Sequence, residues 1–62
     1  MNWLRDLRVS KNFTQSQVAS SAGLSVSFYC QIENKSRSPS VDTAKRIAKA
    51  LDFDWTRFFE TV

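Results

Sequence analysis

Apolar residues in this chain recur three and four positions apart in short runs, and each run follows a residue whose side chain can cap a helix. Leu4 and Leu7, interleaved with Arg5, Asp6 and Arg8, predict a first helix from Asn2 to about Lys11, with Asn2 as its cap. The break falls at Asn12 and Phe13, and Phe13 stands where a hydrophobic staple residue precedes a cap. Thr14 then caps a second helix. Gln17, three residues on, completes a capping-box pattern, and Val18, Ala19 and Ala22 form the inward stripe. Ser25 caps a third helix that runs to about Glu33 and turns Tyr29 and Ile32 inward. From Asn34 to Pro39 the chain is a short polar loop. Ser40 caps a fourth helix with Val41, Ala44, Ile47, Ala48 and Leu51 on its inner stripe. Asp54 caps a short fifth helix from Trp55 to about Glu60, bearing Trp55, Phe58 and Phe59. No strand alternation, repeat or low-complexity tract interrupts this order. The expected fold class is all-α: a five-helix bundle in one domain, residues 1–62, ending in an aromatic segment at 53–62.

One position is punctuated differently from the rest. Gly23 is the sole glycine, and it stands between the second and third helical patterns. A residue without Cβ enters the left-handed region without steric cost, so two helices can meet there at a steep angle. Helix, tight turn, helix (about residues 14–34) is an arrangement that places the second helix of the pair in the major groove of DNA.

Charge sharpens that reading. The chain carries nine basic and six acidic residues, net +3. The distribution is uneven: residues 1–49 are net +5 and residues 50–62 net −2. A basic body suits a polyanion, and the acidic end suits something else. Cys30 is the sole cysteine, so no intramolecular disulfide can form. Met1 is followed by Asn-Trp-Leu-Arg-Asp, which brings charge within five residues, and no apolar run approaches the roughly 18 residues of a membrane span. A cytoplasmic protein without leader or anchor is expected. Histidine is absent, no residues have metal-ligand spacing, and no glycine-rich phosphate loop occurs. No enzyme, metal or cofactor is expected.

The words Leu4-Arg-Asp-Leu-Arg8, Phe13-Thr-Gln15, Val18-Ala19, Ala22-Gly-Leu-Ser25, Gln31-Ile-Glu-Asn34, Pro39-Ser40 and Ala48-Lys-Ala-Leu51 occur in this order. In that combination the chain resembles the Cro- and lambda-repressor type of helix-turn-helix proteins, the Xre-like family, over nearly its whole length. The resemblance implies a compact lambda-repressor-like domain that reads double-stranded DNA with its third helix. The family's base-contacting positions fall on Val26, Ser27 and Gln31, with Arg37 in the following loop as a further candidate. These residue types suit base reading, and positions 27 and 31 share a helix face. Glutamine bonds adenine through two atoms, serine serves several bases, and valine packs on a thymine methyl. Gln15, Ser25, Asn34 and Lys35 are the expected phosphate contacts, Gln15 also through its backbone N–H at a helix start. Lys45, Arg46 and Lys49 read as a solvated face of the fourth helix.

Glu33 is out of place on a helix that approaches phosphates unless something neutralises it. The resemblance implies a structural ion pair between Arg8 and Glu33. Lys35 and Asp52 stand where the family commonly keeps glycine, at sites that call for positive φ, and Asn34 is able to take the left-handed conformation in place of Lys35. Phe28 is expected on the partly exposed side of the third helix, against sugar or a thymine methyl, and Cys30 to face solvent. Family members bind near-palindromic operators as dimers, so a homodimer is expected, with Trp55, Phe58 and Phe59, joined by Val62, as its contact surface. The function so implied is sequence-specific transcriptional regulation, as a repressor. The alternative is a protein-interaction module of the same fold, antitoxin-like or an anti-regulator.

Overall fold

The computed structural model describes residues 2–60. Four α-helices follow one another: α1 Trp3–Ser10, α2 Gln15–Ala22, α3 Val26–Glu33 and α4 Val41–Leu51. A 3₁₀ turn, Trp55–Phe59, is the last described element. Each expected N-cap is in place. Asn2, Thr14, Ser25, Ser40 and Asp54 all have extended backbone, and each side chain accepts a hydrogen bond from a backbone N–H in the first turn of its element. At Thr14 the reciprocal bond is also made, from the Thr14 N–H to Gln17 Oε1 at 2.8 Å, so the capping box is complete.

The fifth element departs from expectation. It is a 3₁₀ turn of five residues rather than an α-helix reaching Glu60. So short a segment forms few i→i+4 bonds, and the tighter i→i+3 bond from the Arg57 N–H to Asp54 O, 3.0 Å, prevails. Asp54 reinforces the tight start by accepting from both the N–H and the hydroxyl of Thr56.

Leu4, Val18, Ala19, Ala22, Tyr29, Ile32, Ile47 and Leu51 form the buried core. Helices α2 and α4 pack on each other, and both bury alanines: Ala19 and Ala22 on one, Ala44 and Ala48 on the other. Small side chains there let two helix backbones come close, which a chain of 62 residues needs if it is to bury enough surface. Val41 corrects the expected stripe. It lies on the same angular face as Ala44 and Ala48 but in the first turn of α4, and 49% of it is exposed. Trp3, Phe53 and Phe58 close the open end of the bundle, with ring centroids 5.3–5.6 Å apart. Among the described residues no helix is long and apolar enough to cross a membrane.

Candidate nucleic-acid interface

All four α-helices end in the same way, and the way they end shapes the site. After each, one residue turns left-handed: Asn12 (φ 62°), Gly23 (φ 71°), Lys35 (φ 64°) and Asp52 (φ 58°). The next N–H then reaches back to the carbonyl five residues earlier: Phe13 to Arg8, Leu24 to Ala19, Ser36 to Gln31 and Phe53 to Ala48, at 2.8–3.2 Å. Gly23 takes this conformation freely. Asn and Asp tolerate it through their short polar side chains. Lys35 does not. Asn34, expected to be able to turn left-handed in its place, is right-handed at φ −79°. The strain therefore sits on Lys35 itself. Left-handed backbone costs an L-residue about 1–2 kcal/mol, and glycine loses roughly 0.5–1 kcal/mol of chain entropy in exchange. Lys35→Gly is thus expected to raise the melting temperature by about 2–6 °C, and a fall on thermal unfolding would contradict the assignment.

Gly23 and the Ser25 cap bring α3 off the corner with a sharply divided surface. Tyr29, Ile32 and Glu33 are buried, while Val26, Ser27 and Gln31 are exposed. Val26 is 42% exposed at the first position of the helix, next to Ser27 on the open side. Ser25, Asn34 and Lys35 flank this face and are exposed at its two ends. Arg37 is exposed in the following loop, with its guanidinium 5.3 Å from the ring centre of half-buried Phe28. That stacking orients Arg37 along α3. No spacing rule announces it, because the pair spans the end of a helix.

Beneath this face lies a polar network that joins three helices. Arg8 grips Glu33 with two bonds, Nε to Oε2 at 3.0 Å and Nη2 to Oε1 at 3.1 Å. The side chains are 11% and 2% exposed. The same guanidinium donates through Nη1 to the Phe13 carbonyl at 2.8 Å, which pins the link between α1 and α2. Burial alone would push the Glu33 carboxyl up. The Arg8 bonds, aided by Tyr29 and Gln15, outweigh burial and hold it below its ordinary value. The Tyr29 hydroxyl lies beside this carboxylate but makes no bond of full hydrogen-bond geometry among the described residues. Burial first, and then the adjacent Glu33 carboxylate, raise its pKa. Asn2 adds a further tie, its Nδ2 donating to the Glu33 carbonyl at the end of α3.

Two side chains differ from expectation here. Gln15, expected at the phosphates, turns its side chain into the network: Nε2 donates to Glu33 Oε1 at 3.3 Å and Oε1 accepts from Cys30 Sγ at 3.1 Å. Cys30 accordingly faces α2 and is half-buried rather than open to solvent. Each completes the other's bonding, and neither position signals it in sequence.

At the far end of the molecule the three aromatics expected to form a contact surface divide. Phe58 packs on Trp3 and Phe53 against the core. Trp55 is half-buried under Phe59 and Lys45, and Phe59 is 46% exposed. Val62 lies outside the described residues.

Comparison with known proteins agrees with this geometry. A family model described as helix-turn-helix matches residues 4–58. The chain is also 48% identical over 60 residues to YqaF of Bacillus subtilis (strain 168), an uncharacterized HTH-type transcriptional regulator, covering 97% of this chain and 79% of that protein. No solved structure matches. With a corner at Gly23, a half-exposed third helix and a match running from α1 through the 3₁₀ turn, the chain belongs to the Xre-like helix-turn-helix family.

Proposed function

We propose that this protein is a sequence-specific double-stranded DNA-binding regulator, a repressor working in the cytoplasm, that lays α3 in the major groove. The observation that carries the proposal is the division of α3. Val26, Ser27 and Gln31 are exposed on a helix whose other residues lock it to α1 and α2. A reading element held this firmly positions its side chains without loss of further order on binding. Gln31 bonds a base edge through two atoms, Ser27 reads beside it and Val26 meets a thymine methyl. Arg37, oriented by Phe28, reaches a base or the adjacent backbone. Ser25, Asn34 and Lys35 meet phosphates, and Gln15 does so through its backbone N–H at the start of α2, its side chain being engaged elsewhere.

Selection of bound sequences from random duplex DNA tests the reading directly. Enrichment of a near-palindrome with half-sites about 34–36 Å apart is expected for a dimer on two successive major grooves. On the selected site Gln31→Ala is expected to lose about 1–3 kcal/mol and to relax preference at one base pair. Uniform weakening on every sequence would make Gln31 a positioning contact. Affinity should fall with salt at a slope of roughly −0.9 per phosphate engaged. Salt-independent binding to a protein would instead favour the interaction-module alternative.

The dimer contact proposed at the C-terminal end rests on Phe59 and the open edge of Trp55, while Phe58 is committed to Trp3 and Phe53. A sedimentation profile that is monomeric both free and on the selected duplex would remove it.

A further inference from the structure

Between the start of α1, the loop after α3 and the 3₁₀ turn lies a cleft of about 300 Å³. Leu4 and Ile32 contribute its apolar floor, and Trp3 and Phe58, 5.3 Å apart, form one wall. Its rim is cationic. Lys35, Arg37 and Arg57 all line it, and none of the three makes an ion pair among the described residues. The acids that line the cleft are Glu33, neutralised by Arg8, and Glu60. Arg57 is held in place, its guanidinium 4.5 Å from the Trp3 ring centre. With Glu33 neutralised by Arg8, three cations stand against the single carboxylate of Glu60 around one concave, partly aromatic surface, a net positive rim that favours an added anion.

We propose that this cleft binds a small organic anion: a carboxylate or phosphate head on a flat, single-ring apolar body. The head sits among Lys35, Arg37 and Arg57, and the ring lies against Trp3 and Phe58. The cleft also shares Arg37 and Lys35 with the face assigned to DNA. A ligand that draws those two cations inward withdraws them from the phosphates. Ligand and DNA then oppose each other, each weakening the other by the same factor. This second step rests on the DNA-binding reading; the first does not.

The test is a titration of the full chain, without DNA, with phenyl phosphate, phenylacetate and inorganic phosphate at constant ionic strength. Binding is followed by the two indole N–H resonances and the backbone amides. Saturable shifts at the Trp3 indole and at Lys35 are expected with one or both aromatic anions, which should bind at least about tenfold tighter than inorganic phosphate because they also bury a ring. A preference between the two aromatic anions identifies the head group. Arg57→Gln is expected to weaken the aromatic anion about tenfold with an unchanged fold. Equal binding of inorganic phosphate, or an unchanged affinity in Arg57→Gln, would overturn the site. On the selected duplex, saturating aromatic anion should weaken the wild-type complex and spare that of Arg57→Gln. Binding without any effect on DNA affinity overturns the coupling and leaves the site. Failure of the chain to bind any duplex would instead remove the functional reading.

Discussion

Arg8→Met is expected to remove a large share of this protein's folding stability. The substitution removes both bonds to Glu33 and the bond to the Phe13 carbonyl, and leaves a carboxylate with 2% exposure unpaired in the middle of the fold. Removing one partner of a buried pair costs about 3–5 kcal/mol. A domain of this length commands roughly 3–9 kcal/mol in all. The melting temperature should fall by about 15–25 °C on a circular-dichroism melt. An unchanged value would show that the pair contributes nothing net. The loss is mostly the stranded charge, so Arg8→Met combined with Glu33→Leu should recover a large part of it.

The same pair fixes the response to acid. Glu33 is held below its ordinary value of 4.5 in the folded protein, so its contribution is complete above that value and is lost as pH falls through the folded one. In Arg8→Met the Gln15 bond remains, but without the guanidinium burial dominates and favours the neutral carboxyl. The gap between wild type and variant should therefore be widest near neutrality, begin to shrink as pH falls through the variant's raised value, and keep shrinking until wild-type Glu33 is itself protonated, below its ordinary value. A gap that widens in acid would contradict the assignment.

Gly23→Val has the second largest expected effect, and its cause lies in the backbone. A Cβ at position 23 would meet Arg46 Nη1 at 3.5 Å, an ordinary contact, so room is not the obstacle. The obstacle is φ of 71°, which β-branched residues scarcely adopt. The cost is about 1–3 kcal/mol if the turn is kept. If the turn relaxes instead, α3 leaves the angle at which Val26, Ser27 and Gln31 share a groove. Anisotropy on the selected duplex should then show a loss of affinity even at temperatures where the helical signal is intact. Gly23→Asn is the control, because Asn12 already closes α1 at φ 62°. It should retain most of the stability and binding. Wild-type melting and affinity in Gly23→Val would show that the corner is not what orients α3.

What could be read in advance was what neighbours in sequence decide. The five caps, the break at Gly23 and the spacing that exposes Ser27 and Gln31 on one side of α3 follow from rules acting over a single turn. The Arg8–Glu33 pair was accessible because a carboxylate on that helix demanded a partner, and family resemblance named it. The remainder depended on contacts between distant segments. Val41 obeys the helical period yet stays exposed, because period says which side a residue is on and not how far its neighbours extend. Gln15 and Cys30 satisfy each other across fifteen residues, whereas from sequence Gln15 reads as a phosphate contact and Cys30 as a side chain facing solvent. Lys35 rather than Asn34 turns left-handed because the closing bonds from Lys35 to Ile32 and from Ser36 to Gln31 fix which residue is strained.

Asn2 has a practical bearing on how the protein can be handled. Its side chain caps α1 by accepting from the Arg5 N–H, and it also donates to the carbonyl of Glu33, the last residue of α3. Asn2 is thus fastened directly to the helix assigned to the groove. A purification tag or fusion partner joined ahead of it would pull on that fastening, whereas a graft into the exposed stretch around Ser36 and Ser38 would disturb the cations of the rim. Labels for binding measurements are better carried on the outer face of α4, at Lys49, where neither the fastening nor the rim is touched.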